Sequence, residues 1–190
     1  METYEQRSAS ESRAALSGGR RAVGHAAVFQ SRAQLAPGIF EEVNRGAFRD
    51  SLLRDDVRMT VNHDPSQLLA RTGAGTLKLE EDSRGLAFNA ELPDTTLGRD
   101  VEELLRRGDL AHASFRFRTP PVDRWTLLSD GSELRSLLKL ELLDVSLVAY
   151  PAYPDATAAL RARQTAREEL IIPARIIRSH RLLELRNEQD

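Results

Sequence analysis

Residues 108–117 read GDLAHASFRF and form the stretch of this chain that most constrains its fold. If the stretch is extended, successive side chains alternate between the two faces of a sheet. One face then carries alanine and phenylalanine, and the other carries Leu110, His112, Ser114 and Arg116. The pattern therefore predicts a strand that presents a hydroxyl and an imidazole on its polar side.

Short segments that are typical of β-strands surround this stretch, and apolar and polar residues alternate most clearly in 57–62 and 86–92. They cover residues 22–29, 57–62, 77–79, 86–92, 124–128, 133–138 and 140–150, whereas residues 34–48 are predicted to be loop and turn. One helix is predicted from a cap at Thr95 or Thr96 to about Arg107. Because the order is not a βαβα series, the sequence predicts a mainly β protein with helices, of the α+β class, built as a barrel or tight sheet.

The composition divides the chain into three regions. Residues 1–21 are polar and without periodicity, which predicts a flexible leader. Residues 22–154 hold the strands and are predicted to form the folded domain. Residues 155–190 are rich in alanine and arginine and predict a helical C-terminal tail. This tail could dock on the domain, pair with a second copy or stay loose.

Several function classes fit the sequence poorly. Cysteine is absent, which excludes a thiol nucleophile, disulfides and thiolate metal sites. The net charge of -2 gives no strong bias toward nucleic acid or an anionic membrane. We find no glycine-rich phosphate loop, no Gly-x-Ser-x-Gly turn and no set of metal ligands, so neither a cofactor nor a metal is expected. No signal peptide or membrane span is indicated, so we expect a soluble, unsecreted protein.

A serine hydroxyl is a poor nucleophile until a base accepts its proton, so the four histidines can be compared as bases for Ser114. His25 lies among alanines in a predicted strand, and His180 lies in the tail. His112 is two residues from Ser114, roughly 6–7 Å along a strand, which is long for direct proton transfer. His63 ends a predicted strand and is the best candidate, although a simple turn residue is the competing interpretation.

Two residues of the apolar segment 140–150 bear on this hypothesis. Ser146 is a rival nucleophile, but a serine inside a central strand is usually a small buried filler. Asp144 interrupts the apolar run, where an unpaired charge would be costly, so its carboxylate needs a partner. An imidazole would supply one and be oriented by it. Loop amides or an arginine are equally good partners, and Glu141 is the weaker carboxylate because it faces the other way.

Six motifs follow one another in a fixed order. They are GHAAVF at 24–29, GAF at 46–48, NHD at 62–64, GLAF at 85–88, RRGD at 106–109 leading into SFRF at 114–117, and LDVSLV at 143–148 leading into PA at 151–152. In order and spacing the set resembles the prohead, or capsid maturation, serine proteases of tailed bacteriophages. That family is related in fold to the herpesvirus assemblins, and the resemblance covers residues 22–154.

The resemblance implies a compact β-barrel of the herpesvirus-protease-like type, decorated by helices. It implies that Ser114 is the nucleophile and His63 the base. Asp144 takes the place of a glutamate usual in the family and is the candidate third member. A histidine has that role in the herpesvirus relatives, which keeps His112 as an alternative. Arg116 stands where the family usually has glycine, and we expect it to line the substrate cleft together with His112.

The resemblance also implies a function. It implies a serine endopeptidase inside the procapsid, in the host bacterial cytoplasm. Its substrates would be scaffold, or the scaffold-like N-terminal part of the major capsid protein, and the enzyme itself. The portal and a second copy of the chain, in a homodimer, are further candidate partners. Nucleic acid and membrane are not expected partners. The alternative is a non-catalytic capsid assembly or scaffolding module of the same fold, which loss of Ser114 or His63 would have favoured.

Overall fold

The computed structural model describes residues 4–8, 11–118 and 121–150. In this part of the chain the helices are α1 (Arg49–Arg54) and α2 (Thr96–Arg107), and Thr72–Ala74 form a 3-10 turn. The strands are β1 (Tyr4–Arg7), β2 (Ala14–Ser17), β3 (Arg21–Val28), β4 (Ala33–Ala36), β5 (Ile39–Val43), β6 (Arg58–Val61), β7 (Asp64–Arg71), β8 (Leu77–Glu81), β9 (Gly85–Glu91), β10 (His112–Arg118), β11 (Val122–Leu127), β12 (Glu133–Lys139) and β13 (Leu142–Val148).

The described strands form three sheets. The first has the order β1-β10-β13-β6-β7, the second β2-β3-β9-β8 and the third β11-β12-β5-β4. β13 pairs in parallel with β6, and β12 with β5, whereas the other strand pairs are antiparallel. The mainly β, α+β class is thereby confirmed. Within the described residues no sheet closes on its own first strand, so the barrel stays a prediction.

The five-stranded sheet has one apolar face and one polar face, because side chains alternate along each strand. Its apolar face is buried in the core and includes Met59, Ala113, Phe115, Phe117, Val145 and Leu147. Phe115 meets Phe48 edge to face at 5.3 Å between ring centroids. The polar face carries Ser114 on β10 opposite Ser146 on β13. The strand predicted from GDLAHASFRF is confirmed. Its side chains alternate, so one face packs in the core and the other carries the candidate site.

Helix α2 sets the direction in which the chain enters β10. The Thr95 hydroxyl caps the helix by accepting a hydrogen bond from the Gly98 N–H at 3.2 Å. The helix ends at Gly108, whose φ of 80° is a left-handed conformation that glycine adopts without strain. Val101 and Leu105 bury the apolar side. The predicted helix is confirmed with Thr95 as its cap.

Two polar segments form strands against expectation. The sequence predicts a flexible leader over 1–21, but the structure places β1 and β2 there. It predicts loop and turn over 34–48, where the structure has β4 and β5. In both segments sheet hydrogen bonds satisfy the backbone, and the buried charges of Glu5, Arg7 and Glu41 pair with opposite charges. The predicted tail, 155–190, and His180 lie outside the described residues. Among the described helices, none is long and apolar enough to cross a membrane.

Candidate active site

Ser114 and His63 meet on the polar face of the five-stranded sheet, although they lie 51 residues apart. Ser114 is in β10, and His63 lies two residues after the end of β6 at Val61. The distance from His63 Nε2 to Ser114 Oγ is 2.8 Å. This is within the range in which a base can take a hydroxyl proton directly.

Asp144 completes a chain of hydrogen bonds. It lies in β13, next to β10 and β6, and is 4% exposed. Its Oδ1 is 2.6 Å from His63 Nδ1. With the Nδ1–H donated to this carboxylate, Nε2 is left as the acceptor that faces Ser114. The aspartate is one methylene shorter than a glutamate, yet it reaches the imidazole.

The turn that carries His63 explains why the ring lies there. Asn62 and His63 connect β6 to β7 and both have positive φ, 51° and 60°. This is the backbone of a two-residue type I′ hairpin, whose positive φ asparagine and histidine adopt more often than most residues other than glycine. The His63 N–H donates to Ser146 Oγ at 3.0 Å, and Ser146 Oγ is 2.6 Å from Thr60 Oγ1. Ser146 therefore contacts the histidine through its backbone, whereas the ring contacts Ser114.

Arg116 lies on the other side of Asp144. Its Nε donates to Asp144 Oδ2 at 2.5 Å, and its Nη2 forms an ion pair with the same oxygen. The guanidinium carbon is 4.9 Å from the centroid of the Tyr4 ring. Sequence reasoning expected Arg116 to line a cleft and missed this ion pair. No residue type marks this ion pair in the sequence, because it depends on the strand register that places Arg116 opposite Asp144.

The other histidines lie outside this chain of hydrogen bonds. His112 is in β10, where its ring nitrogens are 3.4 Å from Arg13 Nη1. His25 is in β3, in another sheet, and its Nε2 is 2.7 Å from Asp82 Oδ2. The structure thus brings Ser114, His63 and Asp144 together and places His112 beside an arginine. In the described part of the chain, no cluster of three or more histidine or acidic side chains could hold a metal ion.

The N-terminal strand borders Ser114. Ser114 Oγ is 2.8 Å from the Arg7 carbonyl oxygen, which competes with His63 for the single hydroxyl proton. Ser8 Oγ donates to the Ala113 carbonyl at 2.8 Å. Ser114 is 0% exposed and His63 is 7% exposed. Sequence reasoning missed these contacts, because a backbone carbonyl leaves no trace in the residue type.

A buried cluster of charges anchors β1. Arg135, which is 0% exposed, donates to Glu5, Glu41 and Asp123. Arg7 pairs with both glutamates. Burial pushes the pKa of Glu5 upward, but the hydrogen bonds and charges of Arg135 and Arg7 outweigh burial and lower that pKa. The cluster holds β1 against β5 and β12, and it thereby also fixes the position of the Arg7 carbonyl.

A family model matches most of the chain. The family model described as caudovirus prohead serine protease matches residues 7–170 of the 190. No curated protein and no solved structure matches the chain. The family matched is the one that the six motifs resemble, and it implies a serine peptidase with a role in capsid maturation. The chain belongs to the caudovirus prohead serine protease family.

Proposed function

We propose that the chain is a serine endopeptidase of phage capsid maturation, with Ser114 as nucleophile, His63 as general base and Asp144 as orienting carboxylate. One observation carries the proposal. Asp144 Oδ1, the His63 ring and Ser114 Oγ form a continuous line of hydrogen bonds of 2.6 and 2.8 Å between three separate segments of the chain. Nucleophile, base and orienter in this order are the parts that acyl transfer by a serine requires.

The geometry supports a two-step mechanism. Ser114 Oγ attacks the scissile carbonyl carbon while its proton passes to His63 Nε2. The tetrahedral intermediate collapses when His63 gives that proton to the leaving amine, which leaves an acyl ester on Ser114. A water molecule then attacks the ester, gives its proton to His63, and the acid product departs as Ser114 regains its hydrogen. Asp144 keeps Nε2 directed at Ser114 and stabilises the imidazolium in both steps.

Entry of a substrate requires movement at the site. Because Ser114 is buried and in contact with the Arg7 carbonyl, a peptide carbonyl reaches Oγ only after a neighbouring group moves aside. The Arg7 carbonyl accepts a hydrogen bond from the Ser114 hydroxyl but is too weak a base to take its proton. Displacement of this contact would leave His63 as the acceptor of the proton.

The family supports a more specific biological role, which we also propose. The substrates are scaffold, or the scaffold-like N-terminal part of the major capsid protein, and the protease itself. The reaction takes place inside the procapsid in the bacterial host, where the portal is a further candidate contact and the protease a candidate homodimer. We propose a fold related to the herpesvirus assemblin barrel, with neither nucleic acid nor membrane as partner.

The test combines processing with chemical labelling. Ser114→Ala and His63→Ala are each co-expressed with the capsid and scaffold proteins, and Ser136→Ala on β12 serves as a serine control. We expect loss of capsid-protein cleavage in the first two variants and normal cleavage in the control. A fluorophosphonate probe should label Ser114 in the unmodified protein, as mapped by mass spectrometry. Normal processing in Ser114→Ala or His63→Ala, or labelling at Ser146, would contradict the assignment.

A further inference from the structure

We propose that Arg116 is a positioning residue, which holds the Asp144 carboxylate so that one of its oxygens stays directed at His63. The inference rests on the proposed roles of Ser114, His63 and Asp144. It concerns a different group, which touches neither Ser114 nor the His63 ring through the contacts described above. Its evidence is the division of the two Asp144 oxygens between two partners.

The two oxygens have separate tasks. Oδ1 accepts from His63 Nδ1 at 2.6 Å, whereas Oδ2 accepts from Arg116 Nε at 2.5 Å and pairs with Arg116 Nη2. A carboxylate on a single methylene rotates easily about its terminal torsion. Two nitrogens on one oxygen limit that rotation, because the planar guanidinium binds in a fixed geometry.

Burial makes the second partner necessary. The Asp144 side chain is 6% exposed and the Arg116 side chain 17% exposed. A buried carboxylate with one oxygen unsatisfied carries a large desolvation cost. His63 can satisfy one oxygen only, since its other nitrogen faces Ser114. Arg116 therefore satisfies Oδ2, which would otherwise compete with Oδ1 for the imidazole.

A second arginine beside Asp144 provides a comparison. Asp144 is opposite Arg116 on β10 and opposite Arg58 on β6, so both arginines flank it in the sheet register. The Arg58 guanidinium turns to Asp56, at 3.8 Å from Nη2 to Oδ2 and 3.5 Å from Nη1 to the carbonyl. Both arginines lie opposite Asp144 in the sheet, but of the two only Arg116 is hydrogen-bonded to it. This makes Arg58 a matched control for a general effect of positive charge.

Arg116 is itself held in place. The Tyr4 ring lies under its guanidinium at 4.9 Å, an arrangement in which the ring face attracts the cation. Tyr4 belongs to β1, which the buried charge cluster anchors. The contacts that hold Asp144 in place thus run from β13 through Arg116 on β10 to Tyr4 on β1.

The charge and the geometry of Arg116 act in opposite directions on His63. A nearby positive charge disfavours the imidazolium that forms during acyl transfer, whereas the hydrogen bonds favour an aligned carboxylate. Arg116→Lys retains the charge but loses the planar pair of donors. We therefore expect Arg116→Lys and Arg116→Gln both to lower the rate of Ser114 labelling, because both lose the planar pair of donors.

The experiment measures the rate of fluorophosphonate labelling at Ser114, separated into the maximal rate and the probe concentration that gives half of it. We expect Arg116→Gln to lower the maximal rate about 10- to 100-fold, the size of effect that misplacement of a catalytic group produces. The half-saturating concentration should stay within about twofold, since Arg116 acts on the base and not on the probe. Arg58→Gln should label at the unmodified rate. Equal maximal rates in Arg116→Gln and the unmodified protein would overturn the proposal.

A double variant separates positioning from a general loss of structure. In an Asp144→Ala background, Arg116→Gln should cause no further loss of labelling rate, because the group through which it acts is gone. The same fold loss in both backgrounds would mean that Arg116 does not act through Asp144. The two proposals fail in different ways: if the unmodified protein does not label at Ser114, the proposed function is wrong. If it labels and the Arg116 variants label equally well, only the role of Arg116 is wrong.

Discussion

The backbone N–H of His63 donates to the side-chain hydroxyl of Ser146 at 3.0 Å, and His63 adopts a φ of 60°. A left-handed backbone costs roughly 1–2 kcal/mol for a residue other than glycine. The bond to Ser146, which is 0% exposed, helps to compensate for that cost. The sheet thus holds His63 by its backbone as well as by its ring. Ser146 is more than the small filler that a serine inside a strand usually is.

Ser146→Ala should therefore lower activity without removing any group of the proposed chemistry. The variant leaves the buried His63 N–H without an acceptor, which costs about 1–3 kcal/mol of stability. We expect the rate of Ser114 labelling to fall on the order of 10-fold as the ring loses its fixed position. Urea unfolding and labelling kinetics measure the two effects.

Thr60→Val is the matched control for Ser146→Ala. It removes the other partner of the Ser146 hydroxyl, at 2.6 Å, but leaves the bond to the His63 N–H. It should cost stability with a smaller loss of labelling. If Thr60→Val and Ser146→Ala reduced labelling equally, the effect would come from packing and not from the backbone of His63.

Asp144→Asn should reduce peptide cleavage by about 10³- to 10⁴-fold, the loss that follows from the wrong histidine tautomer in serine proteases. The amide can direct its NH₂ group at His63 or at Arg116, and neither orientation satisfies both partners as the carboxylate does. Cleavage of the capsid protein in a timed co-expression measures the loss. Glu141→Gln is the control, because Glu141 is half exposed and pairs with Arg54 and Arg118. Activity of Asp144→Asn within tenfold of the unmodified protein would exclude Asp144 as orienter.

The sequence was sufficient to predict the two-faced strand that carries Ser114. Ala113, Phe115 and Phe117 alternate with polar residues, and this alternation can be read from neighbouring residues alone. The sequence also indicated that Asp144 needs a partner, because an unpaired carboxylate within a buried apolar run would be costly. Which partner it takes depends on strand register, and register joins residues that are far apart in the chain.

The order of the sheet explains what the sequence could not show. Arg116 meets Asp144 because β10 pairs with β13, and Ser114 meets the Arg7 carbonyl because β1 adds to the edge of the same sheet. The N-terminal residues are polar, so their composition predicts a flexible leader. Their charges are nevertheless buried, since Glu5 and Arg7 find opposite charges on the third sheet.

Arg135→Met should destabilise the protein strongly, because it removes one of the two arginines that pair with the buried Glu5 and Glu41 and leaves Arg7 to balance both carboxylates. Loss of one partner from a buried ion pair typically costs about 3–5 kcal/mol. We expect the urea midpoint to fall accordingly, and part of the loss to return when Glu41→Gln is combined with Arg135→Met. Arg124→Met, on the neighbouring strand β11, is the control for loss of an arginine. Equal stability of the Arg135 and Arg124 variants would show that the cluster does not anchor the fold.

The pair formed by His25 and Asp82 should make stability depend on pH in the acid range. The hydrogen bond from His25 lowers the pKa of Asp82 from 3.8 to about 2. Because the folded-state pKa lies below the unfolded value, the contribution is fully present above about pH 4. It is lost as the pH falls toward 2. Asp82 also accepts hydrogen bonds from the Arg84 and Gly85 N–H groups, so its ionised form caps the turn before β9.

Asp82→Asn should therefore lower the melting temperature at pH 5 and flatten its decline between pH 4 and pH 2. Thermal unfolding followed by circular dichroism at several pH values measures both effects. His25→Gln removes the hydrogen bond that contributes most to lowering the pKa of Asp82 and keeps the turn, so it should reproduce part of the flattening. The double variant should add little to Asp82→Asn, since both changes interrupt one interaction. Fully additive losses would mean that the aspartate stabilises the turn independently of the histidine.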